Sequence, residues 1–151
     1  MRGPGAARLP VAPIRGAVRS ADSAGIAAQR NGVDLATLLI IDDSAAQRAL
    51  VREVVEPAGI FEQILEASDG LAGLRLMLSQ PVDVVLCDLE MPGLEGEKLL
   101  RFKVAGAPIE NVPFVFLTGS TDAERRARLL ESGACDAIAK PFHPADLVAR
   151  M

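Results

Sequence analysis

Residues 37–43, with the sequence TLLIIDD, form a continuous and largely apolar run that ends in two adjacent carboxylates. A run without polar alternation is typical of a strand that is buried on both faces of a sheet. Ser44 comes next and favours the start of a helix, because its hydroxyl can accept a hydrogen bond from a backbone N–H of the first turn. The segment therefore predicts a parallel strand that leads into a helix, with two acids at the junction.

The same order of apolar strand and then helix recurs four more times along the chain. The further predicted strands are residues 63–67, 82–87, 114–117 and 137–139. The predicted helices are residues 46–56, a segment that opens at 69–70, residues 97–104, residues 122–132 and a last segment from Pro144. This alternation predicts the α/β class, as a (βα)5 doubly wound sheet of five parallel strands.

The composition is that of a folded protein of about one domain. The chain has 151 residues, of which 50% are hydrophobic, and this apolar content excludes global disorder. A net charge of −4 argues against direct binding of nucleic acid, and charged residues interrupt every run that could span a membrane. Aromatic residues make up 3% of the chain, too few for platforms that stack bases or sugars. Cys87 and Cys135 are typical of reduced thiols, so we expect a cytoplasmic protein.

Charge divides the chain into two parts. Residues 1–36 hold five Arg and two acids, a net charge of +3, and are rich in Ala, Gly and Pro, whereas residues 37–151 carry −7. We expect residues 1–36 to be a flexible tail and residues 37–151 to be the folded domain. The tail is compatible with a leader without function, a start-codon artefact, a transit-like peptide, or a segment that binds an acidic partner or a membrane surface.

Chemically active side chains follow four of the predicted strands. Asp42 and Asp43 follow the first strand, Asp88 the third, Thr118 the fourth and Lys140 the fifth. If the first and third strands are neighbours, three carboxylates converge, so one must take up a proton or the site must hold a cation. Oxygen ligands without His or Cys favour Mg2+. A carboxylate beside a metal and a lysine is well placed to attack phosphorus, because both cations offset the charge of a transferring phosphoryl group.

Beyond this pattern, the chain strongly resembles the receiver domain of bacterial two-component response regulators from about residue 37 to 151. The matching segments are LIIDDS at 39–44, DLEMPGLEG at 88–96, FLTG at 116–119, GACD at 133–136 and KPF at 140–142. Each motif alone is weak, but all of them in this order and at these strand ends are highly specific. The resemblance implies the flavodoxin-like, chemotaxis-regulator-like fold with strand order 2-1-3-4-5.

The resemblance also implies a metal site and a phosphorylation site. Asp88 would be the phosphoacceptor, which attacks a phosphohistidine on a partner kinase. Asp43 would bind Mg2+ directly, Asp42 directly or through water, and Asp88 and the backbone carbonyl of Glu90 would complete the protein ligands.

Further residues would handle the phosphoryl group in such a receiver. Thr118 would form a hydrogen bond with it and shift on activation, and Lys140 would pair with a phosphoryl oxygen. The Lys140-Pro141 peptide bond would be cis. The side chains of Glu90 and Ser120 lie where receivers tune the lifetime of the acyl phosphate.

The implied partners are a sensor histidine kinase or phosphotransfer protein and a downstream output domain or protein. The chain would be a signalling domain that catalyses its own phosphorylation and dephosphorylation, rather than a classified enzyme. A homodimer through the last strands and helices is left open. Arg125, Arg126 and Arg128 lie on one predicted helix, as a solvated face or as a docking surface for a partner.

Two features depart from the family pattern. Ala137 stands three residues before the lysine, where receivers usually carry Tyr or Phe, so we expect a weakened or different conformational readout. The helix after Pro144 is short, which favours a receiver cut from a longer regulator over a single-domain regulator.

Two other function classes share part of this pattern. A haloacid-dehalogenase-type phosphohydrolase also uses an aspartyl phosphate, but it places the nucleophile after its first strand. An interaction module that works without phosphorylation is supported by Ala137 and opposed by the intact set of acids, threonine and lysine. A dinucleotide-binding domain is excluded, because no Gly-x-Gly-x-x-Gly follows the first strand.

Overall fold

Strands and helices alternate in the predicted order in a computed structural model that describes residues 36–91, 96–103, 107 and 109–151. The strands are β1 (Ala36–Ile41), β2 (Phe61–Ala67), β3 (Val84–Asp88), β4 (Phe114–Thr118) and β5 (Asp136–Ala139). The helices are α1 (Ala45–Val55), α2 (Gly70–Ser79), α3 (Gly96–Leu100), α4 (Ala123–Glu131) and α5 (Pro144–Arg150), with a short 3-10 turn at Glu56–Ala58. Residues 1–35, nearly all of the predicted tail, lie outside the described part.

The five strands form one parallel sheet in the order β2-β1-β3-β4-β5. This confirms the doubly wound, flavodoxin-like arrangement that the resemblance implied. Leu39 of β1 is in register with Leu65 of β2 on one side and with Val85 of β3 on the other. Because β1 and β3 are neighbours, their carboxyl ends bring residues 42, 43 and 88 to one edge of the sheet.

Alternate residues of each inner strand pack on opposite faces of the sheet. One face joins Leu39, Cys87 and Phe116 to a core that includes Met77 of α2, Leu99 of α3 and Leu129 of α4. The other face joins Leu38, Leu86 and Leu117 to Val51 of α1 and Leu147 of α5. The fully apolar strands of the sequence are explained by this double coverage, since a parallel strand with helices on both faces has no side for polar residues.

Side chains cap the N-termini of several helices, directly after the loops that follow the strands. Ser44 accepts a hydrogen bond from the amide of Gln47 at 3.3 Å, which confirms it as the N-cap of α1. Asp69 caps α2 in the same way, with Ala72 as the donor at 2.7 Å. The ring Nδ1 of His143 accepts from the amide of residue 145 at 3.2 Å and caps α5. Such caps satisfy amides that have no partner within the helix.

Several predicted boundaries are shifted by one to four residues. β2 begins at Phe61, two residues before its predicted start, and β3 begins at Val84, two residues after it. α3 was predicted to reach Val104 but ends at Leu100. The amides of residues 101–103 bond to carbonyls three residues back, and this tighter turn ends the α-helical pattern. Among the described residues, no helix is both long and apolar enough to cross a membrane.

Candidate functional site

Three aspartates meet at the carboxyl edge of the sheet, as the sequence predicted. Asp42 and Asp43 follow β1, and Asp88 is the last residue of β3. One carboxylate oxygen from each of the three lies within 4.8 Å of those of the other two. Asp42 and Asp88 are buried, whereas Asp43 is exposed, so the cluster opens to solvent on one side.

The carboxylate of Asp42 is held in place but is not electrostatically satisfied. Its Oδ1 accepts the amide of Ser44 at 2.8 Å, while Oδ2 is the one buried side-chain oxygen or nitrogen without a hydrogen-bond partner in the described part of the chain. Burial raises the pKa of Asp42, and the nearby charge of Asp88 raises it further, although the bond from Ser44 opposes both. A divalent cation would supply both the missing partner and the missing charge, so the residues fit Mg2+.

Arg48 fixes the backbone of the loop that carries the acidic pair. Its Nη1 donates to the carbonyl oxygen of Asp42 at 2.7 Å, and its Nε donates to Glu66 of β2 at 3.1 Å. The side chain is largely covered, with 17% of it exposed. α1 and β2 therefore hold the start of the loop between them.

Lys140 reaches the site from the loop after β5. Its Nζ donates to Asp88 Oδ1 at 3.1 Å, and the peptide bond to Pro141 is cis, as the resemblance implied. The same Asp88 oxygen accepts the amide of Glu90 at 3.3 Å. Lys140 is therefore placed to neutralise charge that collects on Asp88.

Thr118 ends β4 and faces the side chain of Glu90 across the site. Its Oγ1 donates to Glu90 Oε1 at 3.3 Å and accepts the amide of Ser120 at 3.1 Å. The amide of Gly119 donates to Glu90 Oε2 at 3.1 Å. The structure thus brings together Asp42, Asp43, Asp88, Glu90, Thr118 and Lys140, the whole set of predicted site residues.

The sequence pattern missed the part that α4 takes in this site. Arg125 Nη1 lies 3.4 Å from Glu90 Oε1, and its Nε lies 3.4 Å from Glu97 Oε1 of α3. Arg126 instead pairs at 3.0 Å with the buried Asp136, which also accepts Arg150 of α5 at 2.9 Å. The partners of Arg125 are 28 and 35 residues away, so no local pattern could have identified them.

Tight packing beneath the site leaves no room for a side chain at Gly96. A Cβ built there would lie 2.8 Å from Phe116 Cε1, 2.9 Å from the carbonyl oxygen of Asp88 and 3.2 Å from Cys87 Sγ. Cys87 is fully buried, and burial raises the pKa of its thiol. This agrees with the prediction that Cys87 is a small core side chain. The first turn of α3 therefore rests directly on the backbone that carries Asp88.

Ala137 occupies the position where receivers usually carry an aromatic residue. It is buried, and it is in register with Phe116 of β4 on the face that also holds Phe114. The two phenylalanine rings stack with their centroids 6.1 Å apart. The aromatic side chains of this face thus come from β4 rather than from β5.

Comparisons with known proteins agree with this geometry. Residues 38–151 match the model of the response regulator receiver domain. The chain is 33% identical over 115 residues to the phosphate regulon transcriptional regulatory protein PhoB of Pseudomonas aeruginosa, which covers 76% of this chain and 49% of that protein. It is 32% identical over 105 residues to a probable chemotaxis protein CheY of Rhizobium etli, covering 70% of this chain and 81% of that protein.

A solved structure of a putative response regulator from Chloroflexus aurantiacus superposes with a TM-score of 0.70 at 30% identity, over 77% of this chain and 93% of that one. The chain spans about half the length of the PhoB relatives. Phosphorylation and Mg2+ binding are typical of receiver domains, which are signalling domains that interact with histidine kinases and output domains. The match over residues 38–151, together with the fold and the site, shows that the chain belongs to the response regulator receiver domain family.

Proposed function

We propose that this receiver accepts a phosphoryl group on Asp88 from a histidine kinase or phosphotransfer protein and so switches an output domain or protein. The observation that carries the proposal is the contact of Lys140 Nζ with Asp88 Oδ1 at 3.1 Å, at the edge where two further aspartates converge. A buried carboxylate paired with a lysine beside an acidic cluster combines a nucleophile with one cation and with carboxylates that could bind a second.

In the proposed reaction, a carboxylate oxygen of Asp88 attacks the phosphorus of a phosphohistidine. The new P–O bond forms as the P–N bond breaks, and the electron pair of that bond returns to the imidazole. Lys140 would then neutralise part of the phosphoryl charge, and we expect the hydroxyl of Thr118 to donate to a phosphoryl oxygen, as the resemblance implies.

Mg2+ is part of the proposal. Asp42, Asp43, Asp88 and the backbone carbonyl of Glu90 would hold it, as the resemblance implies. When bound, it would supply positive charge to the phosphoryl oxygens. The support from this chain is the orphaned Oδ2 of Asp42, because a buried carboxylate oxygen without a partner is costly unless a cation is present.

The test is to incubate the chain with Mg2+ and acetyl phosphate or phosphoramidate and to measure its mass. We expect a labile gain of about 80 Da, one phosphoryl group, that is absent in Asp88→Asn. Asp146→Asn is the matched control, because Asp146 is an exposed aspartate on α5 whose side chain makes no hydrogen bond or ion pair with the described site residues. An adduct in the wild type that persists in Asp88→Asn would contradict the assignment of the phosphoacceptor.

A second function is supported by Ala137, whose small buried side chain offers no aromatic ring that could turn with Thr118. The chain would then be an interaction module of receiver fold that works without phosphorylation. Failure to form an adduct, despite measurable Mg2+ binding, would favour it. If an adduct forms, we expect weakened or different amide shifts on the face formed by β4, α4 and β5. A cytoplasmic location and a homodimer through the last strands and helices remain predictions.

A further inference from the structure

The carboxylate of Glu90 accepts hydrogen bonds from three donors near the carboxyl edge of the sheet. They are the hydroxyl of Thr118 at 3.3 Å, the amide of Gly119 at 3.1 Å and a guanidinium nitrogen of Arg125 at 3.4 Å. Two of the three lie at the carboxyl end of β4, next to the strand that carries Asp88. An anion therefore already occupies the donors of this strand end before any phosphoryl group arrives.

The hydroxyl of Thr118 cannot serve two acceptors at once. A hydroxyl has one proton to donate, and its oxygen can accept. Here the oxygen accepts the amide of Ser120 at 3.1 Å, and the proton is donated to Glu90. For Thr118 to donate to a phosphoryl oxygen on Asp88, its bond to Glu90 must break. Glu90 and the phosphoryl group thus compete for a single proton.

The competition favours the phosphoryl group because the contacts of Glu90 are partly exposed. The Glu90 side chain is 42% exposed and that of Arg125 is 32% exposed. Ion pairs of this exposure contribute little to stability, because water screens them. Phosphorylation replaces the −1 charge of the Asp88 carboxylate with the charge of about −1.5 to −2 that a phosphoryl group carries. The site therefore becomes more negative, next to a loop whose Glu90 amide already donates to Asp88 at 3.3 Å. The more highly charged phosphoryl group would therefore compete with the Glu90 carboxylate for the Thr118 proton and displace it.

Arg125 connects the side chain of Glu90 to two helices, so a movement of Glu90 would affect both. Arg125 belongs to α4, and its second contact is Glu97 on α3, with Nε to Oε1 at 3.4 Å. When Glu90 leaves, Arg125 loses one of its two carboxylate partners. The contact between α4 and α3 then changes, and this change requires no aromatic residue at position 137.

We propose that the Glu90 carboxylate is a latch on the unphosphorylated state, which withholds the Thr118 proton and the Gly119 amide from the site and passes its release to α4 and α3 through Arg125. The inference rests on the proposed function, since it takes a phosphoryl group on Asp88 as the competing anion. Glu90 is a positioning residue in this scheme, because its side chain acts through Thr118 and Arg125.

The test measures the equilibrium binding of beryllofluoride, a phosphoryl analogue, to the chain with Mg2+, followed by backbone amide NMR shifts. Glu90→Ala removes both acceptor oxygens and should tighten binding about fivefold, the factor expected for one released hydrogen bond. In the protein without Mg2+ or beryllofluoride, the same variant should move the amide resonance of Gly119 upfield. Glu131→Ala is the matched control, because Glu131 is an exposed acid at the end of α4, and it should leave both readouts unchanged.

A double-mutant cycle separates the latch from simple charge repulsion. If Glu90 acts through the Thr118 proton, the gain from Glu90→Ala should shrink to about twofold or less in a Thr118→Val background. A gain of the same size in both backgrounds, or no gain in either, would overturn the latch while leaving phosphorylation of Asp88 intact. Absence of any adduct on Asp88 in the wild type would overturn both proposals.

A separate measurement tests whether Arg125 transmits the change at Glu90 to α3. Arg125→Gln should reduce the beryllofluoride-induced shifts of the α3 amides, with those of Thr118 and Gly119 preserved. Shifts in α3 that equal those of the wild type would refute the part of the proposal that concerns Arg125.

Discussion

Gly96→Ala tests whether the first turn of α3 constrains the backbone at Asp88. The added Cβ would lie 2.8 Å from Phe116 Cε1 and 2.9 Å from the Asp88 carbonyl oxygen, whereas non-bonded carbon contacts are normally about 3.5–4.0 Å. Phe116 is fully buried and the Asp88 oxygen belongs to the backbone, so neither can move aside cheaply. Overpacking of this kind costs about 1–3 kcal/mol.

The helix itself partly offsets this cost. Gly96 is the first residue of α3, so Ala there gains less than the roughly 1 kcal/mol of an interior helix position, and the net loss should be about 1–2 kcal/mol. Because the chain has no Trp, the assay is urea denaturation followed by far-ultraviolet circular dichroism, with an unchanged m-value. The melting temperature should fall by about 4–8 °C. Labelling by acetyl phosphate should also fall, since the backbone that carries Asp88 must shift.

Gly119→Ala provides the comparison, because the nearest atom to its Cβ is Glu90 Oε2 at 3.1 Å, the end of a flexible side chain. We expect its stability to stay within about 0.5 kcal/mol of the wild type. The reasoning is refuted if Gly96→Ala is as stable as the wild type, or if both substitutions destabilise the chain equally.

Two further predictions concern ion pairs outside the site. The hydrogen bond from Arg52 holds the pKa of Glu66 below its ordinary value of 4.5. Glu66 therefore stabilises the fold above about pH 4.5 and loses this effect as the pH falls through its lower folded pKa. Glu66→Gln should lower the free energy of unfolding by up to about 0.5 kcal/mol at pH 7 and by almost nothing at pH 3. Urea denaturation at both pH values measures this difference, and an equal loss at both would contradict the prediction. Asp136→Ala should destabilise the chain by about 1–3 kcal/mol, because the buried amide of Ala137 loses its acceptor. Asp136→Asn, which keeps an acceptor, should cost less, and the prediction fails if the two variants are equal.

The sequence was sufficient to predict the class of fold and the contents of the site. Apolar runs such as residues 38–41 are typical of strands covered on both faces, and polar residues at their ends indicate the carboxyl edge of a parallel sheet. Asp42, Asp43 and Asp88 were predicted in this way, given that β1 and β3 are neighbours. The strand order came from the family resemblance, because the residues of a buried strand do not record which strand lies beside them.

Element boundaries were less well predicted, because they depend on local turns and tertiary contacts. α3 ends four residues early where the hydrogen bonds tighten to a spacing of three. The arginines of α4 were expected to form a solvated face or a docking surface. Two of them also pair with carboxylates outside α4, Arg125 with Glu90 and Glu97 and Arg126 with Asp136, while their side chains stay partly exposed.

What the sequence alone determined is therefore which residues stand at the carboxyl edge of the sheet, because strand periodicity and burial are local properties of the chain. What only the tertiary structure decided is which of them exchange hydrogen bonds. The Thr118 hydroxyl donates to Glu90, which is 28 residues away in sequence, and the Lys140 ammonium donates to Asp88, which is 52 residues away. Such pairings arise when packing of the helices fixes the distances between strand ends, and a one-dimensional pattern carries no information about those distances.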